Sequence, residues 1–229
     1  MDDDAKGNNG DSHQRSGTRV AIIGYGDEAR EQARRLRAAR WDVGVALRPG
    51  GMSWIRAVAD GFRPVLVSQA LFHADVVVVH MPESEQPAMW ASNIAPRVAP
   101  GTLVVFAHGA ALYAGALEPD ARLDVVLVAR SGSVAGCRVA VHHDATGRAL
   151  ERAAAFARTA FGDARVGTTT VESEVQSELR ALVDRKGGVE KVIAEIDRVL
   201  ANPSHEPDEA ALRYYEGLRA ALAGRRGAA

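Results

Sequence analysis

The chain has 229 residues, with 28 basic side chains against 29 acidic ones and a formal charge of −1. That balance removes the electrostatic footprint of a nucleic-acid binder or a polybasic membrane anchor, and 47% hydrophobic content is ample for a core. A lone Cys137 excludes an internal disulfide and a CxxC zinc site, and no apolar run approaches the ~20 residues that span a bilayer. The polar, acidic start reverses the order of a signal peptide. The expectation is a cytoplasmic protein of one domain plus an appendage, with neither nucleic acid nor membrane as partner.

Met1 to Gly17 is rich in Gly, Asn, Asp and Ser without periodicity, so 1–17 reads as a disordered tail. Thr18–Gly24 (TRVAIIG) is a short β-branched run that ends in a glycine turn. Arg30–Arg40, with alanines and Leu36 between arginines, reads as an amphipathic helix. Asp42–Leu47 is a second strand and Ser53–Asp60 a short helix. Val65–Ser68, Asp75–Met81, Thr102–Ala107, Asp124–Ala129 and Arg138–His142 follow as Val-rich runs. Several are apolar at consecutive positions, the pattern of strands buried on both faces. Helices or turns between the early ones give a βαβ rhythm, hence an α/β fold with a mainly parallel sheet. Thr146–Phe161 is a helix, with Asp144 and Thr146 available as caps.

After Thr170 the pattern changes. From Val175 to Leu200 apolar residues step by four and three, apart from Lys186, and Gly187-Gly188 breaks the stripe. Asn202-Pro203 makes a turn, and Glu206-Pro207-Asp208 starts a last helix. The chain thus divides into a sheet domain over 18–171 and a short all-α tail over 172–229. Two long apolar stripes in so short a tail predict a homodimer through the C-terminal helices, which would also close the cleft.

The strongest chemical signal is Gly24-Tyr25-Gly26-Asp27-Glu28-Ala29. This GxGxxA turn follows a strand and opens a helix, the context of a dinucleotide site in a Rossmann-type doubly wound fold. The first glycine makes the turn, the second admits a pyrophosphate, and the helix N-terminus faces the phosphates. The second strand ends Leu47-Arg48-Pro49-Gly50-Gly51-Met52-Ser53, without the acid that holds an NAD ribose. Arg48 and Ser53 can instead pair with a 2′-phosphate, so the expected cofactor is NADPH.

VAIIGYG, LRPGGMSW, ADVVVVHMPESEQ, APGTLVVFAHG and AVHHDATGRAL, in this order, resemble the ketol-acid reductoisomerase family. The resemblance runs from about Thr18 to Thr170. It implies cofactor contacts from Gly24, Tyr25, Gly26, Arg48, Ser53, Pro82, Gln86 and His108, with Asp27, Glu28, Met81 and Glu83 beside them. In the family two magnesium ions are held by an aspartate and a glutamate on one helix face, and those positions are Ser177 and Ala181 here. The family's second acidic pair keeps only Glu216, and Ser131 stands where its VAPKGPGH loop has lysine. The chain also ends soon afterwards, where family members continue into a larger helical domain. No metal site is therefore expected. Glu174 and Glu178 share a helix face, but Glu178 is rotated about 100° from the old ligand direction, so both read as a solvated acidic face. His142-His143-Asp144 reads as structural.

A hydride acceptor without metals needs a proton donor or a charge of its own. His108 and Glu216 are the catalytic candidates, with His80 and Tyr113 more readily structural. The expected activity is NADPH-dependent reduction of a small C=N (iminium) or conjugated C=C/C=O substrate in specialised metabolism, without isomerase chemistry. The alternative is a non-catalytic NADPH-binding regulator or partner subunit.

Overall fold

The computed structural model describes residues 17–130, 136–162, 165–202 and 209–224. Residues 1–16 of the expected tail over 1–17, Ser131 and the Pro203–Asp208 turn and helix start lie outside them. The first half alternates β1 (Arg19–Ile23), α1 (Asp27–Ala38), β2 (Asp42–Ala46), α2 (Met52–Ala59), α3 (Val67–Ala70) and β3 (Val76–Val79). A 3-10 turn over Glu83–Glu85 leads into α4 (Gln86–Met89), which a π-helical turn prolongs to Ile94. Then come β4 (Leu103–Phe106), α5 (Ala110–Tyr113), β5 (Asp124–Arg130), β6 (Gly136–His143), α6 (Ala149–Phe161) and β7 (Arg165–Thr169). Helices α7 (Val171–Lys186), α8 (Val189–Leu200) and α9 (Glu209–Ala223) follow the sheet.

The strands form one sheet in the order β2-β1-β3-β4-β5-β6-β7. β1 to β5 run parallel, as the consecutive apolar runs imply, and β6 turns back antiparallel to β5. Only positions 131–135 separate β5 from β6, too few for a crossover to a parallel neighbour. Alternate residues of each strand feed two separate cores, so both faces are covered. Val20, Ile22, Val76 and Val78 pack against α1 and α6, while Ala21, Ile23, Val77 and Val79 face the core that α7, α8 and α9 join. This is the doubly wound α/β fold.

Three local expectations need correction. Val65–Ser68 is not a strand: Val65 makes a single bridge to Ala46, and Val67 already starts α3. β7 was not expected, because RVGTT is short, glycine-containing and half exposed at the sheet edge. The apolar stripes of the tail are also not left open. Val192, Ile193, Ile196 and Leu222 are buried in the same core as Phe106 and Leu127. Their coverage within one chain removes the reason for expecting a partner on them.

The break at Gly187-Gly188 is a helix stop of the Schellman type. Gly187 has φ +76, its N–H reaches the Asp184 carbonyl, and the Gly188 N–H reaches that of Val183. At the other end Thr170 accepts the Ser173 N–H at 3.1 Å. The N-cap of α6 is Arg148 and not Asp144 or Thr146, though Asp144 accepts the Ala149 N–H and Thr146 that of Arg148.

Candidate active site

The cleft opens where the strand order reverses, between β1 and β3, at the carboxyl ends of the parallel strands. Gly24 has φ +96, and a Cβ there would lie 1.9 Å from the His80 carbonyl oxygen, so only glycine lets β1 turn beside the end of β3. Gly26 is open in front: a Cβ on it would meet nothing within 4 Å but would project into the space a phosphate must enter. Two acids, Asp27 and Glu28, occupy the first turn of α1; Arg56 pairs with Asp27 at 2.7 Å, and Gln32 donates to Glu28 at 3.2 Å.

The cavity behind this turn has a volume of about 600 Å³. Its sheet side carries His80, Met81, Pro82 and Glu83 after β3, and His108 and Ala110 after β4. Its other wall is helical: Val175, Glu178, Leu179, Leu182 and Arg185 from α7, with Tyr214 and Leu218 from α9. α9 can come so close because Gly217 faces α5, where a Cβ would sit 2.4 Å from that of Ala114.

Charge is arranged unevenly across the cleft. His80 is largely shut from water and lies near His108, which pulls its pKa down to about 4, so it is neutral at pH 7. Its Nε2 lies 2.9 Å from the Gln32 side-chain oxygen, which fixes the ring. His108 goes the other way: its Nδ1 is 3.3 Å from Glu178, whose hydrogen bond and charge raise its pKa despite partial burial. Glu83 accepts the Ala110 N–H at 2.7 Å; burial and the neighbouring Glu178 raise its pKa. The Tyr214 phenol is pushed up by burial and by Glu83 and Glu178.

The family model of the acetohydroxy acid isomeroreductase NADPH-binding domain matches residues 15–167. The chain belongs to this family. The ketol-acid reductoisomerase of Pyrobaculum arsenaticum is 38% identical over 223 residues, covering 90% of this chain and 66% of that protein. That of Pyrobaculum islandicum is 37% identical and is covered to 65%. The chain thus spans just under two thirds of the length of these curated relatives. Among solved structures, an NADH-preferring ketol-acid reductoisomerase from an uncultured archaean shares 25% identity at a TM-score of 0.65, over 83% of this chain and 63% of that one. A semialdehyde dehydrogenase NAD-binding protein from Cupriavidus necator, solved with calcium and NAD, shares the fold at 20% identity and a TM-score of 0.60 over 91% and 80%.

Against this reductoisomerase framework, the expected site residues separate into those in the cleft and those outside it. Gly26, Asp27, Glu28, Met81, Pro82, Glu83 and His108 line the cleft. Arg48 and Ser53 stand exposed beyond the end of β2, and the Arg48 side chain is 82% exposed, with Glu85 at 3.4 Å. Tyr25 is a different case. Its side chain turns into the core, stacks edge-on to Phe62 and donates to Asp60 at 3.0 Å. Burial, then that carboxylate, push it up to about 12, and Arg30 and the tyrosine hold Asp60 well below the usual carboxylate range. Only the Tyr25 backbone faces the turn. Gln86 is also buried. It donates to the Met81 carbonyl at 3.1 Å, leaves Oε1 unpaired, and so steadies the strand end from behind.

Two readings of the helical wall are overturned. Glu216 is exposed and faces away from the cleft, where Tyr214 and Leu218 of the same helix stand instead. Glu174 and Glu178 are not a solvated face. Glu174 is buried in a two-pronged ion pair with Arg138 of β6 at 2.6 and 2.8 Å, while Glu178 enters the cleft. Rotation by one residue moved the carboxylate along the wall and not out of it, because α7 presents a wide stripe from Val175 to Arg185. Of the positions that correspond to the family's metal ligands, Ala181 lines the cleft without an oxygen. Ser177 is exposed and donates to the Ser173 carbonyl. Among the described residues, no three His, Cys, Asp or Glu side chains gather as an ion-holding group.

Proposed function

We propose that the chain binds NADPH across the end of the sheet and reduces a small molecule in the cleft. The observation that carries this reading is the junction of an open glycine turn with an exposed cation beyond β2 and an open cleft beyond β3 and β4. Those features match the group: Gly26 would leave room for the pyrophosphate, Arg48 and Ser53 would supply charge and a hydroxyl for a 2′-phosphate, and Met81 and Pro82 would lie at the nicotinamide end. NADPH supplies a hydride there. The residues of this chain hold the substrate, pack against it with Val175, Leu179 and Leu218, and keep His80 neutral at pH 7, while Glu178 raises the pKa of His108.

The substrate we propose is a C=N or conjugated C=C/C=O compound, reduced without metal-dependent rearrangement. Ser177 and Ala181 support this, since neither offers the hard carboxylate oxygens that magnesium takes. A role in specialised metabolism and a cytoplasmic location belong to the same proposal; none of the described helices is long and apolar enough to cross a membrane. So does the division of labour at 171/172, with the sheet domain holding the nucleotide and α7 to α9 closing the cleft.

The test is loss of NADPH absorbance with cyclic iminium, enone and acetohydroxy acid substrates, with and without magnesium. The expected result is metal-independent oxidation with an iminium or enone and none with the acetohydroxy acid. Magnesium-dependent turnover of the acetohydroxy acid would overturn the substrate assignment. Tight NADPH binding with no turnover of any substrate would favour a regulator or partner subunit.

A further inference from the structure

We propose that His80 binds the nicotinamide riboside half of NADPH, accepting an N–H or O–H donor of the cofactor at Nδ1. This rests on the reading of the cleft as an NADPH site and adds how that half of the nucleotide is recognised. The argument starts from a carboxylate, which can only accept. Gln32 lies one turn after Glu28 on α1 and is 2% exposed. Its side-chain nitrogen donates to Glu28 at 3.2 Å, so its oxygen faces the other way and meets His80 Nε2 at 2.9 Å. A flipped amide would set its oxygen against the carboxylate. An oxygen beside Nε2 in turn requires the ring proton on Nε2. The other tautomer would press two lone pairs together in a buried position. With a pKa of about 4, the ring holds no second proton at pH 7, and Nδ1 is left as an acceptor.

The place of that acceptor selects its partner. His80 follows β3 directly and lines the cleft, and a Cβ on Gly24 would come within 3.5 Å of the His80 Cβ. Among the described residues Nδ1 has no hydrogen-bond partner. Among the same residues the unpaired side-chain atom fully shut from solvent is Gln86 Oε1, so Nδ1 opens on the cleft. The sheet order β2-β1-β3-β4 sets Arg48 and Ser53 on one side of the glycine turn and His80 on the other. Adenosine over β2 therefore leaves the nicotinamide half over β3 and β4. The pyrophosphate between them presents acceptors and would meet a lone pair at His80. The nicotinamide riboside half carries donors instead, in its ribose hydroxyls and its carboxamide N–H. Glu28 and Gln32 thus act as positioning residues behind the ring, without touching the cofactor's far end themselves.

The test is fluorescence titration of the parent, His80→Leu and Gln32→Met with NADPH and with adenosine 2′,5′-bisphosphate, which lacks the nicotinamide half. His80→Leu is expected to weaken NADPH by about fivefold, the worth of one hydrogen bond. Unchanged binding of the bisphosphate would show the variant folded with its adenosine site intact. Gln32→Met should weaken NADPH by less, because part of the rings still present a bare Nδ1. The reduced 3-acetylpyridine analogue of NADPH has no carboxamide N–H and separates the two donors. His80→Leu weakens that analogue too if a ribose hydroxyl is the partner, and leaves it unchanged if the carboxamide is. Nitrogen NMR of histidine-labelled protein gives a second readout, with the His80 signal identified by its loss in His80→Leu. It should show an unprotonated Nδ1 whose signal shifts when NADPH binds. NADPH held equally by the parent and His80→Leu overturns the proposal, as does a proton on Nδ1. Equal weakening of NADPH and the bisphosphate overturns it as well, since that marks a structural role. A parent that binds neither nucleotide would instead bring down the cofactor reading beneath it.

Discussion

The two walls of the cleft are made by different means. The sheet wall is fixed by the backbone: a left-handed Gly24 against His80, an open Gly26, and residues that follow directly from strand ends. The helical wall is fixed by side chains that reach it from far along the chain, with Glu178 meeting His108 across 70 positions and Tyr214 joining from α9. A backbone-built wall tolerates almost no substitution at its glycines. A wall built from side chains can change its chemistry residue by residue, and here carboxylates, a phenol and aliphatic groups line it.

If the sheet wall is backbone-built, Gly24→Ala should have the largest effect. The left-handed φ and the overlap with the His80 carbonyl together should cost more than about 3 kcal/mol. Urea unfolding would show a shifted midpoint and lost NADPH binding; a variant of near-parent stability would contradict the account.

His80 gives the next effect, with a defined sign. Its folded pKa of about 4 lies below the ordinary histidine value of 6.5, so the unfolded chain takes up a proton that the folded one refuses. Its contribution is present above pH 6.5 and is lost as the pH falls towards 4, at a cost of up to about 3 kcal/mol. Comparing unfolding midpoints at pH 7 and pH 4.5 should show His80→Asn to be less acid-sensitive than the parent. Equal acid sensitivity would remove His80 from the account.

On the helical side, Glu174→Gln should loosen α7 from β6. Breaking a buried pair costs about 3–5 kcal/mol, but Arg138 is 40% exposed, so about 2 kcal/mol is expected. Thermal unfolding should show that loss, and the Arg138→Gln variant should lose at least as much by leaving Glu174 buried and unpaired. The smallest effect is expected at the nucleotide's outer end. Arg48→Ala should weaken NADPH by about tenfold and leave NADH nearly unchanged, as fluorescence titration would show.

The same contrast explains what the sequence could show. Strand, glycine turn and helix are consecutive in the chain, so GYGDEA and the Val-rich runs carried the sheet wall and the cofactor class. The stop at Gly187-Gly188 was readable for the same reason. Glu216 was misplaced because its helix was known but its rotation was not, and two residues along that helix separate the exposed carboxylate from the buried Tyr214 phenol. Glu174 and Glu178 share a helical face by spacing. Only packing reveals that Arg138 takes the first and His108 the second. β7 escaped because an exposed edge strand buries too little to leave an apolar pattern.

The central claim is that this chain holds NADPH at the junction of the two walls, and titrating its tryptophan fluorescence with NADPH and NADH tests it most directly. The account predicts saturable binding of both, with NADPH the tighter and the difference lost in Arg48→Ala. Binding of neither nucleotide, or a preference for NADH that Arg48→Ala leaves unchanged, would contradict it.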